Sequence, residues 1–136
     1  MTTARMIVLL VALGFALLSK AVGAQVDLEG YRPSAIEIMS LPKFCWGEFH
    51  GSKFKGPEYA IPSDTCRGMN HYCPGLVLLG RSRRSVDDRT RRGNLRRAED
   101  QVGYAVRALE KYPRCPIRGE ILQTYQIIER ELSLTR

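Results

Sequence analysis

The sequence predicts an all-α fold, and three observations carry that prediction. Two stretches, Leu95 to Tyr112 and Ile117 to Leu132, repeat apolar residues at three- and four-residue steps, the spacing that lines one face of a helix. A third, opening at His71 and running through LVLLG, is too apolar for a surface helix and reads as the central buried element. No segment alternates apolar and polar residues convincingly, apart from a short extended piece near Tyr59 to Pro62. At 136 residues there is room for one domain, which excludes multi-domain readings.

Residues 1–24 read as a secretory signal peptide. Arg5 precedes the apolar run Met6 to Leu18, and Val22 and Ala24 are the small residues before a cleavage site. That run rises only about 20 Å as a helix, short of a ~30 Å hydrocarbon core. Cleavage removes Arg5 and Lys20 from the 21 basic residues, leaving 19 against 14 acidic ones, a net charge of +5. No later stretch is apolar enough to span a membrane, so the expected location is periplasmic or secreted.

Residues 25–33 carry charges and Gly without a period and read as a mobile arm. A single domain, 34–136, follows. It opens at Ser34, whose hydroxyl stands three residues before Glu37, the reciprocal capping arrangement that satisfies two orphan N–H groups. Pro42 limits this helix to about two turns. From 43 to 70 the chain mixes aromatics, Gly and Pro with no sustained period, and it reads as an irregular loop tied by cysteines. Asn70 is the expected N-cap of the next helix, with Pro74 in its first turn. The polar run 81–94 reads as an Arg-rich loop, Pro113 and Pro116 stop the third helix, and the fourth runs from Ile117 to Leu132.

Cys45, Cys66, Cys73 and Cys115 all lie beyond the leader, where an oxidising compartment favours disulfides, and four cysteines allow three pairings. The competing metal reading uses Cys45, His50, Cys66, His71 and Cys73, but these lack the tight C-x2–4-C knuckle of zinc sites. Neither C-x-x-C nor C-x-x-C-H is present, so no redox dithiol, covalent haem, metal or other cofactor is expected.

Leu76, Leu79 and Gly80 stand at the spacing of the large–Leu–Gly signature in the first helix of a tetratricopeptide repeat. Ala108 and Pro113 match the small residue and closing Pro of its second helix, with about nine extra residues between, and Leu122 falls where the next repeat's Leu belongs. LPKFC (Leu41 to Cys45), HYCPGL (His71 to Leu76) and RGEIL (Arg118 to Leu122) also resemble motifs of a group of small exported bacterial tetratricopeptide-like proteins. The resemblance implies a short helical array: a repeat-like helix–turn–helix plus flanking helices, with a disulfide-tied loop. It carries over Cys45 and Cys73, and so implies a Cys45–Cys73 bridge with Cys66–Cys115 as the other. Its functional implication is binding or scaffolding, with no established chemistry.

Three function classes follow. The first is an exported, non-catalytic protein-interaction module of the cell envelope, with Phe44, Trp46, Phe49, Phe54 and Tyr59 as residues of a candidate partner groove. In the second, Arg81, Arg83, Arg84, Arg89, Arg91, Arg92, Arg96 and Arg97, set against Asp87, Asp88, Glu99 and Asp100, bind an anionic polymer or lipid headgroups. The third is a small secreted hydrolase such as a ribonuclease, with His50 and His71 as acid and base and Lys43, Lys53 or Lys55 holding phosphate. The expected assignment is the first, with no catalytic residue.

Overall fold

The structure, a computed structural model, describes residues 32–60 and 64–135. The signal peptide and most of the N-terminal arm lie outside the described residues, as does much of the extended piece expected near Tyr59 to Pro62. Among the described residues the chain forms five α-helices, two short 3-10 turns and no strand. The helices are α1 (Ala35–Met39), α2 (Lys43–His50), α3 (Met69–Arg84), α4 (Asp88–Ala108) and α5 (Arg118–Leu134), with the 3-10 turns at Gly51–Lys53 and Pro57–Tyr59.

Helix α1 forms as its capping box dictates. The Ser34 N–H donates to Glu37 Oε2 at 2.8 Å, and the Glu37 N–H returns a bond to Ser34 Oγ at 3.3 Å. Helix α2 corrects the sequence reading, which placed residues 43–70 in one irregular loop. Pro42 precedes its first turn, Gly51 ends it at φ +59°, and the Trp46 indole N–H ties back to the Leu41 carbonyl at 3.0 Å. Gly47 and the crowd of aromatics hide the helical period. Gly47 is there for room, since a Cβ would stand 3.2 Å from the Tyr59 carbonyl oxygen.

Helix α3 starts two residues earlier than expected, at a Gly68 N-cap rather than Asn70. Gly68 adopts φ +92° and lies against α4, where an added Cβ would be 3.0 Å from Ala105 Cα. Close packing therefore chooses the helix start in place of a side-chain cap. As a result Pro74 is interior to α3, not in its first turn, and the Asn70 carbonyl loses the i+4 donor it would otherwise have.

The expected Arg-rich loop 81–94 is also corrected. Helix α3 runs through Arg84 and α4 begins at Asp88, so only residues 85–87 connect them. Arg is a good helix former, and Asp87 caps α4 by accepting the Thr90 N–H at 2.8 Å. Polarity alone had suggested a loop. The expected third helix, from Leu95, is thus the second half of a longer one.

Helices α3, α4 and α5 pack antiparallel in sequence order around one core. Tyr72, Leu78, Leu95, Val102, Leu109, Ile121 and Ile128 are fully buried in it. The closest α3–α4 approach is at Gly75, where a Cβ would meet Val102 Cγ2 at 2.5 Å. The buried Tyr72 hydroxyl donates to Glu120 Oε1 and bonds Thr124 Oγ1, both at 3.1 Å, so α5 closes over α3 through a satisfied polar contact. Burial pushes that phenol well above its ordinary pKa.

Two disulfides complete the framework. Cys45–Cys73 joins α2 to α3, and Cys66–Cys115 joins the approach to α3 with the loop before α5. These are the two pairs that the resemblance implies. All four sulfurs are consumed, so a cysteine-ligated metal site is not formed by this fold.

Candidate functional site

The Arg-rich run divides into two parts. Its first three members are engaged internally. Arg81 forks onto Glu37, with Nε to Oε1 at 2.7 Å and Nη2 to Oε2 at 3.1 Å, and also reaches the Arg32 carbonyl. Arg84 adds a bond to Glu37 at 3.0 Å, and Arg83 bonds Glu131 through two nitrogens at 3.0 and 2.8 Å. The first two pin α1 to the end of α3, and the third pins α3 to α5. The Arg81 guanidinium, helped by the Ser34 N–H and opposed by burial, holds the Glu37 carboxyl at about 2.

Arg89, Arg91, Arg92, Arg96 and Arg97 lie on the first half of α4, with Arg89, Arg96 and Arg97 exposed. Arg92 and Arg96 border a polar notch of about 330 Å³, but they share it with Glu99 and Glu129. Two carboxylates against two guanidiniums leave that notch no strong field for an anion.

A larger hollow lies elsewhere, a cleft of about 940 Å³. One wall is α2 and the turns after it, carrying Phe44, Glu48, Phe54 and Tyr59. The floor is Cys66 to Asn70, and the opposite wall is the end of α4 with the residues after it: Tyr104, Arg107, Glu110, Lys111 and Tyr112. The disulfides hold its parts together, because Cys45–Cys73 anchors the α2 wall and Cys66–Cys115 anchors the floor.

Of the candidate groove residues, Phe44, Phe54 and Tyr59 line this cleft. Trp46 and Phe49 do not. Trp46 supports the wall from behind, edge-on to Phe54 with ring centroids 5.3 Å apart. The opposite wall is not among the candidates the sequence offers, where Tyr112 is only the last apolar position of the third helix. Its one local signal is Tyr104, Arg107 and Lys111 at three- and four-residue steps, a polar face at the end of an otherwise apolar period.

Two cations of the cleft, and Lys43 beside it, rest on rings. The Arg67 guanidinium lies 5.7 Å from the Tyr112 ring centre, Arg107 lies 6.0 Å from Tyr104, and Lys43 lies 5.7 Å from Tyr59. Tyr104, 49% exposed, has the His71 ring on its face at a centroid distance of 3.8 Å. His71 in turn bonds the Gln101 amide oxygen through Nδ1 at 2.9 Å. His50 packs on Phe54 at 5.5 Å. Both histidines are thus ring-packed side chains at the edge of the cleft wall.

Comparison of the chain with protein-family models, with curated proteins and with solved structures finds no match in any of the three.

Proposed function

We propose that this chain is a non-catalytic interaction module, exported to the cell envelope, that holds part of a protein partner in the ring-lined cleft. The carrying observation is the cleft itself, a hollow of about 940 Å³ whose walls present Phe44, Phe54, Tyr59, Tyr104 and Tyr112. Aromatic side chains give large contact area at small entropic cost, which is why they anchor interfaces. The two disulfides support an oxidising destination, and they make the cleft a rigid receptor rather than one assembled on binding. No helix among the described residues is long and apolar enough to cross a membrane. In this reading the helical array serves as the scaffold for the cleft.

The second reading, a polyanion binder, draws on the exposed Arg89, Arg96 and Arg97. Co-purification of the oxidised protein with envelope extract separates the two. Under the cleft reading, Tyr104→Ser with Lys111→Ser loses the retained partner, whereas Arg89→Ser with Arg96→Ser retains it. The reverse pattern, with retention that collapses at moderate salt, selects the polyanion reading.

A further inference from the structure

The geometry points to an acidic polypeptide segment as the occupant of the cleft, one that carries an aromatic or aliphatic side chain beside its carboxylates; this rests on the cleft reading above. The first ground is charge left unspent. Arg81, Arg83 and Arg84 are engaged in ion pairs with Glu37 and Glu131, whereas Arg67, Arg107 and Lys111 form no ion pair with any described residue. They line the cleft together with the carboxylates of Glu48 and Glu110, which are likewise outside those pairs. Three cations against two carboxylates leave the cleft positive.

The second ground is how those cations are held. Gly68 packs on Ala105 and Ala108, so Arg67 and Arg107 flank one floor, each set over a tyrosine ring. A guanidinium resting on a ring keeps its N–H fork free at the edge, and that fork matches a carboxylate.

The third ground excludes bases as the better partner. Tyr104 lies between His71 and Arg107, Tyr112 is covered by Arg67, and Phe54 and Tyr59 stack on one another with centroids 5.2 Å apart. These contacts take up ring surface on which nucleobases would stack, and the positive edges of the rings favour oxygen anions. Between the cations, half-buried Phe44 and Met69 offer an apolar seat for one side chain.

The test is selection of a displayed library of random twelve-residue peptides on the purified, oxidised protein. Enriched sequences should place Asp or Glu within two residues of an aromatic or large aliphatic side chain. Their affinity should fall about tenfold in Tyr104→Ala and in Arg107→Gln, and fall further in Lys111→Glu, a variant beyond the end of α4 that serves if the others fail to fold. Enriched peptides without acidic excess, still lost in Tyr104→Ala, overturn this inference and leave the cleft reading standing. No enrichment, or enrichment indifferent to all three substitutions, overturns both. Displacement of the peptides by a tighter-binding single-stranded oligonucleotide also overturns the acidic-peptide assignment.

Discussion

Gly93 offers a direct check on the helical assignment of the Arg-rich run. It sits six residues into α4, exposed, and an added Cβ would meet nothing within 4 Å. Gly93→Ala therefore gains helix propensity with no packing penalty, about 1 kcal/mol. For a domain of this size that is a rise in Tm of about 4–8 °C. Gly93→Pro has the opposite effect. It removes the bond from residue 93 to the Arg89 carbonyl and crowds the preceding turn, costing about 3 kcal/mol or more. The assay is thermal and urea unfolding of the oxidised protein followed by circular dichroism. A loop at 81–94 would tolerate both substitutions within about 0.5 kcal/mol. Proline without effect at position 93 would refute the continuous α4.

Gly75→Ala should be destabilising despite its better propensity, by about 1–2 kcal/mol in urea unfolding, because its Cβ would stand 2.5 Å from Val102 Cγ2 and must part α3 from α4. A stabilised Gly75→Ala would mean that the two helices are not in that contact. Leu79→Ala should cost about 2–5 kcal/mol, since Leu79 belongs to the buried core; a loss below about 1 kcal/mol would displace α3 from the centre. Glu37 governs part of the acid limb. Its folded pKa lies below its unfolded value, so the stability it contributes is fully present above about 4.5 and is lost as pH falls toward about 2. Glu37→Gln should lower stability at neutral pH and flatten the loss between those limits, and an unchanged acid limb would exclude the Arg81–Glu37 fork as its source.

What was legible in the sequence was what local physics decides. The Ser34–Glu37 cap is a three-residue relation, and the apolar faces of α4 and α5 follow from period alone. Misreadings came where composition masks a helix. Aromatics and glycines obscured α2, and arginines gave the start of α4 the look of a solvated linker, although Asp87 is a sound cap. The Gly68 cap was not legible, because its cause is the distant pair Ala105 and Ala108.

The cleft divides in the same way. Phe44, Phe54 and Tyr59 could be named from a dense aromatic segment, but Tyr104, Arg107 and Lys111 lie far along the chain. They reach the cleft through the fold of α3 on α4 and the Cys66–Cys115 bridge, and sequence spacing carries no record of that closure. Charge misled for a related reason. The densest basic run is partly spent on Glu37 and Glu131, while the cations left over are scattered singly in sequence.

Site-directed photo-cross-linking tests the central claim most directly. A benzophenone side chain is placed at position 70, at the cleft, or at position 126, on the exposed face of α5, and the oxidised protein is irradiated in envelope extract. The cleft account predicts one discrete protein adduct at position 70, lost on competition with unlabelled protein, and none at position 126. Equal adducts at both positions, or an adduct at position 126 alone, would contradict it.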